Sequence, residues 1–301
     1  MSATIGLIDV DGHGWPNLPL MKLSAWHKAR GDTVEWYWGW SHYDIVYMSK
    51  VFDDTYSPDV AEPVNADQVI KGGTGYGLDN RLPDEVEHMY PDYSLYPALT
   101  RDKAYGFLTR GCPRGCGFCV VSDKEGRRSL RVADVNEFWR DQREIKLLDA
   151  NTIACPEHMD VLGQLAGAGA WVDFTQGLDA RLLTEENVAA LNRVKVKRLH
   201  FAWDTMEEGG EILRGLRLYA ERGVVEDHRW RVVYVLTNFG TTHEQDLYRV
   251  YQLRELGYDP YVMIYDKPHA PQQTRHLQRW VNNKRLWRSC EKFEDYDPRR
   301  G

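Results

Sequence analysis

Arg110-Gly111-Cys112-Pro113-Arg114-Gly115-Cys116-Gly117-Phe118-Cys119 sets three thiols within eight residues, separated by three residues and then by two. Glycine and proline bend the backbone sharply here, so the three side chains leave one tight loop. Soft thiolates select iron–sulfur clusters or zinc, and a four-iron cluster ordinarily takes four of them. Three leave one iron open, able to bind a molecule and pass it an electron directly. A structural zinc site would need a remote fourth ligand. No further thiol stands at zinc-like spacing, since Cys155 lies beyond the next strand and Cys290 near the end. Five cysteines in 301 residues are too few for a disulfide scaffold and point to a reducing compartment.

Around this loop the pattern is α/β. From Tyr105 onward, β-rich runs alternate with helical ones, the rhythm of parallel strands joined by helical crossovers. Strands are expected at 105–109, 145–149, 171–175, 198–203, 230–236 and 260–265. Helices are expected at 132–143, 158–168, 185–193, 208–222 and 244–256, with a last one at 272–288. Six such units form a partial (β/α)6 TIM-like barrel, whose chemistry sits at the C-terminal ends of its strands. Residues 1–75 read as a small Rossmann-like α/β domain, with a strand at 5–10, a helix at 20–30, and β-rich runs at 33–38, 43–51 and just before Gly72 and Gly73. Residues 76–104 read as a linker, 105–270 as the barrel, and 271–301 as a C-terminal basic helix and tail.

An apolar content of 43% can supply a sizeable core. No window is long and apolar enough for a membrane helix, and no basic stretch precedes the short apolar run near the N-terminus, so a cytoplasmic protein with no membrane partner is expected. The formal net charge of −7 repels polyanions, which argues against a nucleic-acid partner.

The cysteine loop, placed after the first strand of a six-unit βα series, resembles the signature of the radical S-adenosylmethionine (SAM) superfamily. That resemblance implies a [4Fe-4S] cluster on Cys112, Cys116 and Cys119, with SAM chelating the open iron and cleaved reductively to a 5′-deoxyadenosyl radical. It also implies an electron donor such as flavodoxin or ferredoxin, and places Phe118 near the adenine. A carbon radical needs a site shielded from water and stray hydrogen donors, which a barrel mouth provides.

Other polar residues fall at expected strand ends. The resemblance implies that Asp149 and Asn151 lie beside the methionine part of SAM, with capping of the next turn as the alternative for Asp149. Gln176, Asp179, Arg181 and Asp204 would face the cavity. Arg181 could hold a carboxylate of SAM or substrate, or pair internally with an aspartate. Thr237 and Asn238 read as cofactor contacts, while Thr242 and Glu244 also suit an ordinary helix start. Met263 and Tyr265 fit packing equally well. Cys155 is a candidate hydrogen-atom donor to a substrate radical, or else a small buried apolar residue.

The front domain carries Asp11-Gly12-His13-Gly14-Trp15-Pro16, then Ser49-Lys50-Val51, then Gly72-Gly73. These resemble the cobalamin-binding domain, in which the histidine ligates cobalt, the aspartate supports it, and the serine and glycines line the nucleotide tail. Pro16 and Val51 depart from that pattern, and the short span from Ser49 to Gly72 leaves little room for the usual helix. A vestigial or substrate-binding domain therefore stands beside cobalamin binding.

Trp36, Trp38 and Trp40 alternate, giving either a packing face or a platform for a nucleobase. Arg275, Arg279, Lys284, Arg285 and Arg288 fall among Leu277, Trp280, Val281 and Trp287, as in a docked amphipathic helix or, alternatively, a phosphate contact. The expected function is reductive cleavage of SAM and radical chemistry on an unidentified substrate, by hydrogen abstraction and, in one branch, methyl transfer. Its competitor is a non-catalytic iron–sulfur or zinc-binding regulatory module.

Overall fold

The structure, a computed structural model, describes residues 2–12 and 14–299. Two compact units share the chain: residues 1–106 with 133–145, and residues 107–132 with 146–301. The stretch 76–104, expected as a linker, contains two short helices and lies in the first unit.

In the first unit, β1 (Thr4–Asp9), β2 (Thr33–Trp36), β3 (Tyr43–Ser49) and β4 (Ala66–Gly72) form a parallel sheet in the order β2-β1-β3-β4. Because side chains alternate along a strand, Ile5 and Leu7 go to one face. There they meet Leu20 and Leu23 of helix α1 (Leu18–Ala29) and Val86 of α2 (Asp84–Glu87). Tyr43, Val46 and Met48 form a second cluster with Ile8 and Val10 packed against it. Helix α1 starts two residues earlier than expected because Asn17 accepts from the Leu20 amide at 3.2 Å and Pro19 is tolerated in the first turn. Among the described residues no helix joins β3 to β4.

After the short helix α3 (Pro97–Thr100) and β5 (Lys103–Gly106), two-residue strands β6 (Thr109–Arg110) and β7 (Leu130–Arg131) pair antiparallel around a loop containing α4 (Val121–Glu125). Strands and helices then alternate: β8 (Glu144–Leu147), α5 (His158–Ala168), β9 (Trp171–Phe174), α6 (Glu185–Leu191), β10 (Val196–Ala202), α7 (Gly209–Arg222), β11 (Arg231–Thr237), α8 (His243–Glu255) and β12 (Asp259–Ile264). The sheet order is β12-β11-β10-β9-β8-β5, with parallel registers from β9 to β12. The protein is thus an α/β chain of parallel sheets. Val172, Phe174, Leu199, Phe201, Val233, Val235 and Val262 are all buried at alternating positions, each stabilising the unit by roughly 1.5–3 kcal/mol. Thr184 and Thr242 cap α6 and α8 through reciprocal side-chain bonds with Asn187 and Gln245.

Three expected elements are corrected. The helix at 132–143 is a single 3₁₀ turn, Val135–Glu137. Phe138 lies so close over Gly106 that a Cβ there would stand 2.2 Å from its ring, and its carbonyl accepts from Tyr93 Oη at 2.6 Å instead of from a helical amide. The strand at 105–109 ends at Gly106, because the amides of Leu108 and Thr109 turn to the Asp149 carboxylate. The last helix breaks into α9 (Gln272–Asn282) and α10 (Lys284–Ser289), since Asn283 caps the second piece from the Arg285 and Leu286 amides. No helix among the described residues is long and apolar enough to cross a membrane.

Candidate cluster and cofactor sites

The cysteine loop is fixed at its root and at two glycines. Gly111 sits at φ +87°, and a Cβ there would fall 2.1 Å from the Arg128 carbonyl oxygen. No other residue fits this left-handed close approach. Gly115 also has a positive φ, +59°. Glu125 holds the loop entrance, accepting from Arg110 Nη1 at 2.8 Å and from the Gly111 amide at 3.0 Å. The Cys112 amide donates to the Gly126 carbonyl at 3.1 Å, and the Cys119 amide to the Cys116 carbonyl at 2.9 Å.

All three thiols are half-buried. Burial pushes the Cys116 thiol up, and the negative charges of Asp204, Cys119 and Cys112 add to it. Cys119 is likewise raised by burial, then by Cys112 and Asp204. Among the described residues no three His, Cys, Asp or Glu side chains converge as ligands of one metal ion.

Behind the loop, Asp149 is fully used. Its carboxylate accepts from the amides of Leu108 (2.7 Å) and Thr109 (3.0 Å) and from the hydroxyls of Thr109 (2.7 Å) and Thr152 (3.3 Å). Burial raises its pKa to about 6 despite these donors. It anchors the root of the cysteine loop. Asn151, two residues on, points its Nδ2 at Cys112 Sγ, 3.6 Å away, while its Oδ1 is buried without a partner.

Beside the loop lies a charge network. Arg114 Nε donates to Asp179 at 2.6 Å, Arg181 Nε donates to the same carboxylate at 2.7 Å, and Arg181 also bonds Glu208. Burial opposes ionisation of Asp179, yet Arg181 and Arg114 together hold its carboxyl below the usual range. Arg181 is thus paired internally. Asp204, beyond the end of β10, has an Oδ1 that is buried and unpartnered, and burial raises its pKa to about 6, with Arg249 and Arg181 pulling the other way.

The remaining candidates differ in their freedom. Gln176 is exposed. Thr237 is fully buried and its hydroxyl is tied to the Met263 carbonyl at 2.9 Å. Asn238 adopts φ +60° and donates to the Tyr265 carbonyl at 2.8 Å. Phe118 meets Phe239 edge-on at 5.3 Å, and Phe239 meets Tyr265 at 4.8 Å, a short aromatic run next to the cysteines. Sequence reasoning missed Phe239, since a lone aromatic after a strand carries no pattern. Cys155 is fully buried. A cavity of about 1030 Å³ opens where β11 and β12 begin, lined by Tyr251, Arg254, Tyr258, Trp287 and Arg288; Arg288 is among the candidate phosphate contacts, whereas none of the cluster or cofactor candidates line it.

In the first unit the loops after β1, β3 and β4 are tied together. Asp11 accepts from the amides of Val51 and Phe52. Ser49 Oγ exchanges hydrogen bonds with Asn17, at 2.9 and 3.1 Å. Gly73, at φ +95°, passes so close to the Lys50 carbonyl that a Cβ would stand 2.2 Å from it, whereas nothing lies within 4 Å of a Cβ at Gly72. His13 lies outside the described residues. Trp36 packs edge-on against Tyr96 at 5.3 Å, whereas Trp38 and Trp40 stand 61% and 88% exposed.

No family model matches the chain, and no curated protein matches it. Among solved structures, the radical SAM methyltransferase TsrM from Kitasatospora setae, with cobalamin and [4Fe-4S] cluster bound, superposes with a TM-score of 0.60 at 12% identity. That match covers 88% of this chain and 72% of the other. TsrM with tryptophan substrate and the SAM analog aza-SAM gives a TM-score of 0.43 at 14% identity, over 87% and 67% of the two chains. The chain shares the α/β fold of a radical SAM methyltransferase.

Proposed function

We propose that this chain is a radical SAM enzyme whose [4Fe-4S] cluster is held by Cys112, Cys116 and Cys119, with its alternating strands and helices acting as a partial (β/α)6 barrel. The observation that carries the reading is the loop itself: three half-buried thiols within eight residues, locked by Gly111, in a chain that shares the TsrM fold. The donor set fits such a cluster, being all sulfur and short of a fourth ligand. When bound, the cluster supplies a single electron to a sulfonium at its open iron.

The chain's own residues do the rest. Glu125, Asp149 and Gly111 fix the loop. Phe118, supported by Phe239, offers an aromatic edge to an adenine, with Gln176 and Asn238 proposed at the approach, while Thr237 and Arg181, already bonded within the chain, hold the segments around it. Asp204, protonated below about pH 6 and ionised above it, can hold or release a proton beside the thiols. A low-potential flavodoxin or ferredoxin is the fitting electron donor, and the cytoplasm the fitting compartment. The substrate is unassigned, with methyl transfer or hydrogen abstraction as the reaction classes.

The first unit is proposed as a Rossmann-like cobalamin-binding domain using Asp11, His13, Ser49, Gly72 and Gly73. What supports this is that Asp11, Ser49 and Gly73 belong to adjoining loops at the C-terminal ends of parallel strands, where open α/β sheets take their ligands. Anaerobic incubation of the iron- and sulfide-loaded protein with SAM and dithionite tests the enzyme reading. Methionine with 5′-deoxyadenosine, or a methylated product, is expected, and loss of turnover in Cys112→Ala. Zinc in place of iron, or no spectral change on adding SAM, overturns it.

A further inference from the structure

We propose that Asn151 sets the reduction potential of the cluster by donating an N–H···S hydrogen bond from its carboxamide to Cys112. The inference rests on the reading of Cys112, Cys116 and Cys119 as cluster ligands and goes beyond it.

Asn151 occupies the N-cap position of the 3₁₀ turn Thr152–Ala154, where an asparagine side chain ordinarily accepts a backbone amide. Here it makes no such bond. Its Oδ1 is buried and unpartnered, and its Nδ2 stands 3.6 Å from Cys112 Sγ, a normal separation for an N–H donor to the large sulfur atom. The carboxamide forgoes the local cap, leaves one polar atom unsatisfied at some cost in stability, and spends its one hydrogen bond among the described residues on a thiol. A group retained only to shape the turn would cap it.

The backbone that carries the donor is held in place. The Asn151 carbonyl accepts from Ser129 Oγ at 3.1 Å and from the Ala154 amide at 3.2 Å, and Asp149 ties the same segment to Leu108 and Thr109 at the loop root. Reduction adds one electron to the cluster, with no bond broken and no proton moved, and part of that charge resides on the ligating sulfurs. A fixed N–H dipole aimed at one of them stabilises the reduced form and raises the potential.

The test uses the full chain, loaded anaerobically with iron and sulfide, as wild type, Asn151→Leu and Asn151→Asp. The reduced-cluster paramagnetic signal is followed against an imposed potential set with dithionite. At equal iron and sulfide content, Asn151→Leu is expected to shift the reduction equilibrium about tenfold toward the oxidised form, about 59 mV for one electron. Asn151→Asp, which places an anion by the sulfur, moves it further in the same direction. The wild-type signal is also expected to carry a coupling to an exchangeable proton that Asn151→Leu lacks. A leucine variant within twofold of wild type overturns this proposal and leaves the cluster assignment standing, whereas a wild-type protein that takes up no cluster overturns both. Should Asn151→Leu fail to load, the wild-type spectrum decides, because absence of the exchangeable coupling also overturns the proposal.

Discussion

Single residues control whether the cysteine loop exists. Gly111→Ala places a Cβ 2.1 Å from the Arg128 carbonyl at a positive φ, so the variant is expected to lose most bound iron and sulfide while keeping its far-ultraviolet dichroism. Full iron content in that variant would contradict the role given to the glycine. Asp149→Asn replaces an acceptor facing four donors with an amide that can satisfy only part of them. Chemical denaturation should show a loss of about 1–3 kcal/mol. Asp204 gives a pH signature. Burial raises its folded pKa from 3.8 to about 6, so its contribution to stability is fully present below the unfolded value and is lost as pH rises through about 6. Asp149, raised to about 6 by the same burial, acts in the same direction, so the cluster-free protein should lose stability between about pH 4 and 6 with each carboxyl contributing of order 3 kcal/mol, and Asp204→Asn should remove about half of that slope. An unchanged slope would remove the assignment.

Arg249 links elements. On α8 it is fully buried, and it donates to the carbonyls of Trp203, just past β10, and Leu236, in β11 (2.7 Å), while pairing with Asp246. It thereby fixes the strand ends that carry Asp204 and Thr237. Arg249→Leu strands an anion and two carbonyls in a dry interior, and a destabilisation of about 3–5 kcal/mol is expected in urea titrations. A cost near zero would mean that water reaches the site. The element from 133 to 143 illustrates the opposite balance. Its residues suit a helix, yet Phe138 packing over Gly106 and accepting from Tyr93 outweighs the few tenths of a kcal/mol per residue that helix propensity offers.

On the scale of the whole molecule, each unit owns a core. The first has Ile5, Leu7, Leu20 and Tyr43, and the second has Phe174, Leu199, Phe201 and Val235. Asp11→Ala, which frees the Val51 and Phe52 amides, should then lower retention of added cobalamin as read by corrin absorbance, with iron content unchanged. Parallel loss of both would contradict the role given to Asp11. The alternation of β-rich and helical runs, the threonine cap at 242, and the three-thiol spacing were all legible in the sequence, because local periodicity and capping chemistry act over a few residues. The α/β class and the three thiols proposed as cluster ligands were thus legible from sequence alone. Tertiary structure decided that Asp149 would end β5 and hold the loop root, that Arg181 would be consumed by Asp179 and Glu208, that Phe239 would back Phe118, and that Asn151 would turn from its helix cap to a sulfur. Each of these is a choice among partners distant in the chain, and a hydrogen-bonding group takes whichever partner the packed core brings within reach.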